Sequence, residues 1–126
     1  MAPRILIVED DPTQRRILEE MIKRFGCEPT AVESGASGLE HLASPAGNGT
    51  ELIVLDLVMP EMDGLEVCRI IKNEAELSDM KVIISTGYPR HPKLDEMAEM
   101  GFTNVIYKPF DLMEFVKKVE TILTNE

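Results

Sequence analysis

The sequence predicts a doubly wound α/β domain, with a parallel sheet of five strands covered by helices on both faces. Three observations carry that expectation. Short apolar runs alternate with stretches of helical period along the whole chain. Residues 5–8 and 52–55 are apolar without a break, as strands buried on both faces must be. The length, 126 residues with 44% hydrophobic content, suits one domain that buries roughly two thirds of its unfolded surface.

Arg4 to Glu9 reads as the first strand. Asp11 is placed to cap the helix that follows, and Pro12 stands where a first turn needs no N–H. Ile17, Leu18, Met21, Ile22 and Phe25 form its apolar stripe, which Gly26 ends. Glu28 to Glu33 carries a weak strand signal, and Ala36, Leu39, Leu42 and Ala43 recur at helical spacing over Gly35 to Ala43. Pro45 to Thr50 reads as a loop. Leu52 to Asp56 is the third strand, followed by a turn with Pro60 and Gly64 and a helix through Leu65, Val67, Cys68, Ile70 and Ile71. Lys81 to Ser85 is the fourth strand, and Pro92 to Met100 a short helix stopped by Gly101. Thr103 to Tyr107 is the fifth strand, and Asp111 caps a last helix that runs to Leu123. The methionines are gap fillers by default, with Met97, Met100 and Met113 as candidates for a partner face.

Right-handed crossovers between these strands give the flavodoxin-like order 2-1-3-4-5, with the switch point between strands one and three. Four strands then end in polar groups at one sheet edge: Glu9 and Asp10, Asp56, Ser85 and Thr86, and Lys108. Ligands of such sheets bind at that edge. Strands lie about 4.8 Å apart, so Lys108 starts roughly 10 Å from Asp56, a gap its four-carbon stem largely crosses. Two carboxylates about 4 Å apart repel by about 4 kcal/mol at an effective dielectric of about 20. A divalent cation relieves that repulsion, and hard oxygen donors favour Mg2+. A carboxylate beside such an ion can attack phosphorus and become an aspartyl phosphate. Lys108 and the metal would offset charge on the phosphoryl oxygens, and Thr86 would donate a hydrogen bond to one of them.

Composition narrows the classes further. Thirteen basic against 23 acidic residues leave a net charge of −10, which opposes direct binding to nucleic acid or anionic membrane. No apolar run approaches the roughly 18 residues of a membrane helix. Met1-Ala2-Pro3-Arg4 leads into a strand and not into a signal sequence's apolar stretch, so a cytoplasmic location is expected. Cys27 and Cys68 lack metal-type spacing and read as reduced core residues. His41 and His91 likewise read as surface residues.

Taken together, these residues resemble response-regulator receiver domains of the CheY-like kind, the phosphoacceptor half of two-component signalling. Ile5 to Pro12 resembles the family's acidic-pocket strand in the variant with Glu in the first acidic position, and Leu55 to Gly64 resembles the phosphoacceptor turn. Ser85-Thr86-Gly87 matches the hydroxyl switch, and Lys108-Pro109-Phe110 matches the lysine motif, which in the family carries a cis bond before the proline. The resemblance implies one receiver domain over residues 1–126, with Asp56 as the phosphorylated residue. It implies Asp10 as the main side-chain metal ligand beside Asp56, Glu9 acting through a metal-bound water, and the Val58 carbonyl as a third protein ligand. Mg2+ is the implied cofactor, with Mn2+ or Ca2+ as in vitro substitutes. Lys108 would contact the phosphoryl group and Thr86 would turn inward once it is present. Asp11 reads as a helix cap and not as a metal contact.

The resemblance also implies partners. A sensor histidine kinase or histidine phosphotransfer protein would donate the phosphoryl group, docking near Gln14 and Arg15. A downstream protein would read the face of the fourth helix, fifth strand and fifth helix, where Phe110, Met113, Lys117 and Lys118 stand. The chain would be a signalling switch, not an enzyme, catalysing only its own phosphorylation and dephosphorylation, as a monomer or a phosphorylation-linked dimer.

Departures from the family pattern give the sequence its individuality. The aromatic switch position, three residues before the lysine, is Val105, while Tyr107 immediately precedes Lys108. Strand alternation puts Val105 and Tyr107 on one face, so Tyr107 is the expected partial substitute. Val58 and Tyr88 occupy the positions that flank the family's hydrolytic water, which implies slow self-dephosphorylation. Two rival classes fail on the same residues. A haloacid-dehalogenase-type phosphohydrolase needs an Asp where Val58 stands, and a flavodoxin-type flavin site needs an anion-welcoming loop where Glu9-Asp10-Asp11 stands. The remaining alternative is a receiver-like noncatalytic scaffold or sequestering domain that binds partners without phosphorylation.

Overall fold

A computed structural model describes residues 2–124; Met1, Asn125 and Glu126, the ends of the expected 1–126 domain, lie outside the described residues. The elements are β1 (Arg4–Val8), α1 (Pro12–Arg24), β2 (Glu28–Val32), α2 (Gly35–Ala43), β3 (Thr50–Asp56), α3 (Gly64–Asn73), β4 (Lys81–Thr86), α4 (Lys93–Glu99), β5 (Val105–Tyr107) and α5 (Leu112–Thr124). All pairings are parallel and the sheet order is β2-β1-β3-β4-β5, as expected from the sequence. Pro45–Gly47, read from sequence as plain loop, makes a turn of 3-10 helix. β5 is only three residues long, shorter than the Thr103 to Tyr107 expected, although the Asn104 carbonyl just before it still accepts the Ile84 N–H at 2.8 Å.

Each central strand buries both faces, and alternation sorts its side chains between two cores. Leu6, Val8, Ile53, Leu55, Val82 and Ile84 pack with Leu42 of α2, with Leu65, Cys68 and Ile71 of α3, and with Met97 of α4. Ile5, Ile7, Leu52, Val54, Ile83 and Ile106 pack with Leu18 and Ile22 of α1 and with Phe115, Val119 and Ile122 of α5. Thus α1 and α5 cover one face, and α2, α3 and α4 the other. Ile17 departs from its expected place in the α1 stripe. It lies 43% exposed, because one helical step of about 100° carries it off the face that Leu18 and Ile22 bury. Met97 is fully buried and Met100 packs against the same core, so of the three methionines considered for a partner face only Met113 is exposed. Cys27 and Cys68 are buried and free, and burial pushes the Cys68 thiol up to about 12.

The turn after β3 is fixed by backbone contacts. Leu57 N–H donates to the Ser85 carbonyl at 3.0 Å and Gly64 N–H to the Leu57 carbonyl at 2.9 Å. Glu61 takes a left-handed conformation at φ 67°, which lets the turn close. A Cβ on Gly64 would stand 2.8 Å from the Asp56 carbonyl oxygen and 3.0 Å from Leu57 Cα, so only glycine allows α3 to begin this close to the end of β3.

Gly64→Ala is therefore expected to cost on the order of 1–3 kcal/mol as α3 is forced away from backbone that has no room to yield. Urea unfolding of the two proteins checks this, and equal midpoints would contradict it.

Candidate functional site

Glu9 continues the extended chain one residue past β1, its N–H donating to the Val32 carbonyl at 3.1 Å. Its side chain therefore keeps the parity of Ile5 and Ile7 and faces the α1–α5 side. Asp56 closes β3 with the parity of Leu52 and Val54, on the same side. The two acids are nearly sealed, at 1% and 7% exposure, whereas Asp10 is exposed. One carboxylate oxygen from each of Glu9, Asp10 and Asp56 lies within 4.8 Å of the other two.

Lys108 supplies the positive charge. It follows β5 with the parity of Ile106 and places its ammonium 3.0 Å from Glu9 Oε1 and 3.3 Å from Asp56 Oδ1. The stem thus crosses the gap from β5 to β3, as its length allows. Its backbone is pinned as well, since Lys108 N–H donates to the Thr86 carbonyl at 2.8 Å, and the Lys108–Pro109 bond is cis. Burial alone would lower the Lys108 pKa, but the contacts with Glu9 and Asp56 outweigh it and raise it. Burial pushes the Asp56 carboxyl up, the adjacent Glu9 charge adds to this, and Lys108 pulls the other way, leaving it at about 7.

The β1–α1 turn is held by two residues. Asp11 caps α1, its Oδ1 accepting from Thr13 N–H at 2.8 Å and Gln14 N–H at 3.4 Å, which agrees with its sequence reading. The sequence does not single out Arg15 for the site, yet its guanidinium donates to the carbonyls of Glu9 at 2.9 Å and Asp10 at 3.3 Å. Only the return of α1 over its own N-terminal turn brings it there. Glu9 Oε2 accepts Asp11 N–H at 3.2 Å, so both of its carboxylate oxygens are engaged.

Thr86 is buried with the parity of Ile84, on the α2–α3–α4 side, and its Oγ1 accepts from Tyr88 N–H at 3.0 Å. In register with Asp56 stands the preceding residue, Ser85. Strand alternation is the signal that separates the two hydroxyls. Val105 and Tyr107 pair with Ile84 and Thr86 in register, share a face, and line one cleft with His91, Leu94 and Phe102. Val58 and Tyr88 are 48% and 60% exposed on their turns. Phe110 stacks on Phe115 with ring centroids 5.5 Å apart, so it anchors the start of α5.

Two ion pairs tie α4 to α3. Asp63 caps α3 by accepting Glu66 N–H at 3.0 Å and also pairs with Lys93; Arg69 meets Glu96 at 2.6 Å. Burial would raise the Asp63 carboxyl, but the Lys93 contact and backbone N–H donors outweigh this and hold it low. Exposed pairs of the Arg69–Glu96 kind contribute up to about 1 kcal/mol.

Chemically, the site is a set of hard oxygen donors that includes a buried, ionisable carboxylate beside an ammonium. Such a set fits a small divalent cation that keeps water and phosphate oxygens among its ligands.

The family model for the response regulator receiver domain matches residues 5–120. The response regulator receiver protein CpdR of Brucella abortus is 34% identical, over 95% of this chain and 96% of its own. The two-component response regulator ARR7 of Arabidopsis thaliana is 27% identical over 97% of this chain, which spans only 63% of that relative's length. Among solved structures, the signal receiver domain of a histidine kinase from Syntrophus aciditrophicus superposes with a TM-score of 0.86 at 31% identity, covering 98% of this chain and 91% of that one. Among the described residues no helix is long and apolar enough to cross a membrane.

The raised Asp56 pKa fixes the sign of a pH dependence in the metal-free protein. The folded chain holds the Asp56 proton to about pH 7, whereas the unfolded chain releases it near pH 4. The folded state binds more protons in that window, so this group's contribution to stability falls as pH rises from about 4 to about 7 and levels off above. Asp56→Asn should flatten that slope and gain on the order of 2–4 kcal/mol above about pH 7 in EDTA. Urea unfolding across pH tests it, and an unchanged slope in the variant would contradict the assignment.

Proposed function

This chain belongs to the response regulator receiver domain family of two-component systems, and from that premise we propose that it is a phosphoacceptor switch whose Asp56 takes a phosphoryl group with Mg2+. One observation carries the reading: three carboxylate oxygens gathered within 4.8 Å, with the Lys108 ammonium 3.3 Å from the acid that would be phosphorylated. The receiver unit in this reading spans residues 1–126.

In the reaction, an Asp56 oxygen forms a bond to phosphorus as the phosphorus–nitrogen bond of a phosphohistidine breaks. The electron pair leaves with the imidazole nitrogen, which takes up a proton from water. Asp56 must be ionised to attack, and its raised pKa means that added positive charge favours the reactive form. Asp10 and Asp56 would hold Mg2+ with the Val58 carbonyl, and the ion would neutralise charge on the phosphoryl oxygens. Glu9 acts indirectly, a role supported by its two engaged oxygens. Lys108 balances charge on the phosphoryl group, as an ammonium already placed between two acids is able to do.

Readout begins at Thr86. To reach a phosphoryl group its hydroxyl must leave Tyr88 N–H, the bond that now fixes the start of the β4–α4 loop. Releasing that bond frees the loop and opens space beside Tyr107, which stands in register with Thr86 and takes the part of the aromatic switch beside Val105. The altered face of α4, β5 and α5 then meets a downstream protein. A histidine kinase or phosphotransfer protein is the donor, in the cytoplasm, and a phosphorylation-linked dimer is one form of the output.

Intact mass after acetyl phosphate and Mg2+ should show one added phosphoryl group on wild type and none on Asp56→Asn. No adduct on either would favour a receiver-like scaffold that binds partners unphosphorylated. The exposed apolar Val58 and bulky Tyr88 should hinder water at the phosphoryl group, giving a lifetime well beyond seconds. Polar replacements at both positions should shorten it several-fold, as followed by loss of the adduct mass; a wild-type lifetime of seconds would refute the hindrance.

A further inference from the structure

Ser85 Oγ is the one buried side-chain polar atom among the described residues that has no hydrogen-bond partner. Its residue is 1% exposed. A buried hydroxyl left unpaired is costly, and an apolar side chain at this position would avoid that cost. Its placement gives it a use. Ser85 is in register with Asp56 on one side and with Ile106 on the other, and it shares the parity of Ile83 on the α1–α5 face. Lys108 starts two residues beyond Ile106 and delivers its ammonium back to Asp56, the residue in register with Ser85, so its stem passes over the end of β4 on the face that Ser85 shares.

The ammonium has three N–H donors, and Glu9 and Asp56 accept two of them. Phosphorylation would move negative charge from the Asp56 carboxylate out to the phosphoryl oxygens, and the ammonium would have to turn with it. Resting on the phosphoacceptor reading above, we propose that Ser85 is a positioning residue for Lys108: its hydroxyl oxygen accepts an ammonium hydrogen as Lys108 turns to the phosphoryl group. The hydroxyl idle beside the carboxylate is thus engaged in the phosphorylated state. Thr86 serves the opposite face, and the two adjacent hydroxyls divide chemistry from readout.

The test compares wild type, Ser85→Ala, Ser85→Thr and Ser85→Cys, each also in a Lys108→Ala background. Adduct formation from acetyl phosphate with Mg2+ is followed by intact mass. Ser85→Ala should slow it about tenfold, the effect of one charge-assisted hydrogen bond. Ser85→Thr should restore most of the rate, and Ser85→Cys, a weak acceptor of similar volume, should track Ser85→Ala. In the Lys108→Ala background none of the Ser85 variants should alter the rate further. With beryllium fluoride and Mg2+ in place of phosphate, the Lys108 Nζ hydrogens should exchange with water faster in Ser85→Ala than in wild type, by 15N-resolved NMR. Wild-type rate and exchange in Ser85→Ala, or an equal slowing when Lys108 is absent, would overturn the inference while leaving Asp56 phosphorylation intact. No adduct on wild type would overturn the phosphoacceptor reading and this inference with it.

Discussion

A lysine that reaches across one whole strand holds this site together. Glu9 and Asp56 are both nearly sealed from water and lie on the same face of adjacent strands, where two ionised carboxylates repel by several kcal/mol. Lys108 is placed against both, at 3.0 and 3.3 Å, and its raised pKa records how strongly the pair holds its proton. One ammonium does not balance two buried acids, and burial together with the neighbouring Glu9 charge raises the Asp56 pKa despite Lys108. On the exposed side of the pair Asp10 completes a set of three carboxylate oxygens of the kind that fits a small cation. Removing Lys108 would leave both acids without a counter-charge, which costs far more than an exposed pair contributes.

That arrangement depends on parity more than on any loop. Glu9, Asp56, Ser85 and Lys108 all follow apolar residues of the α1–α5 core by two positions, on four parallel strands in register. A one-residue slip of any strand would turn its group into the opposite layer. The buried runs that fix the register therefore also fix the chemistry. Gly64 and Arg15 complete the frame, since Gly64 lets α3 start against the Asp56 carbonyl and Arg15 clamps the backbone of Glu9 and Asp10.

The sequence made the strand order, the site acids and Lys108 legible because their signals are local or periodic. Continuous apolar runs announce parallel strands, and a polar residue at the end of each run needs no tertiary knowledge to be noticed. Asp11 was likewise readable as a cap, since capping depends on residues two and three positions away. Arg15 was not readable, because its partners are carbonyls whose direction is set only when α1 packs back on β1. Lys93–Asp63 and Arg69–Glu96 escaped for a similar reason, as they join elements well separated along the chain. Ser85 was within reach: counting the alternation from Ile83 places it beside Asp56, while the motif draws the eye to Thr86.

β4 therefore presents a buried hydroxyl on each of its two faces. Ser85 looks into the layer of Glu9, Asp56 and Lys108, and Thr86 into the layer of α3 and α4. Their backbones are bound to the neighbouring motifs, Ser85 through its carbonyl to Leu57 N–H and Thr86 through its carbonyl to Lys108 N–H. A change at Asp56 thus needs to travel no further than one peptide unit to meet the residue that anchors the β4–α4 loop. The contacts that hold the loop and α4 are also local: the Thr86–Tyr88 hydrogen bond, and the Lys93–Asp63 and Arg69–Glu96 pairs that tie α4 to α3. All of them are polar contacts outside the packed core of Met97 and Phe102. A site built on buried strands is in this way joined to a loop held by a few polar contacts, and that difference in packing is what the proposed switch would use, one face staying fixed while the other moves.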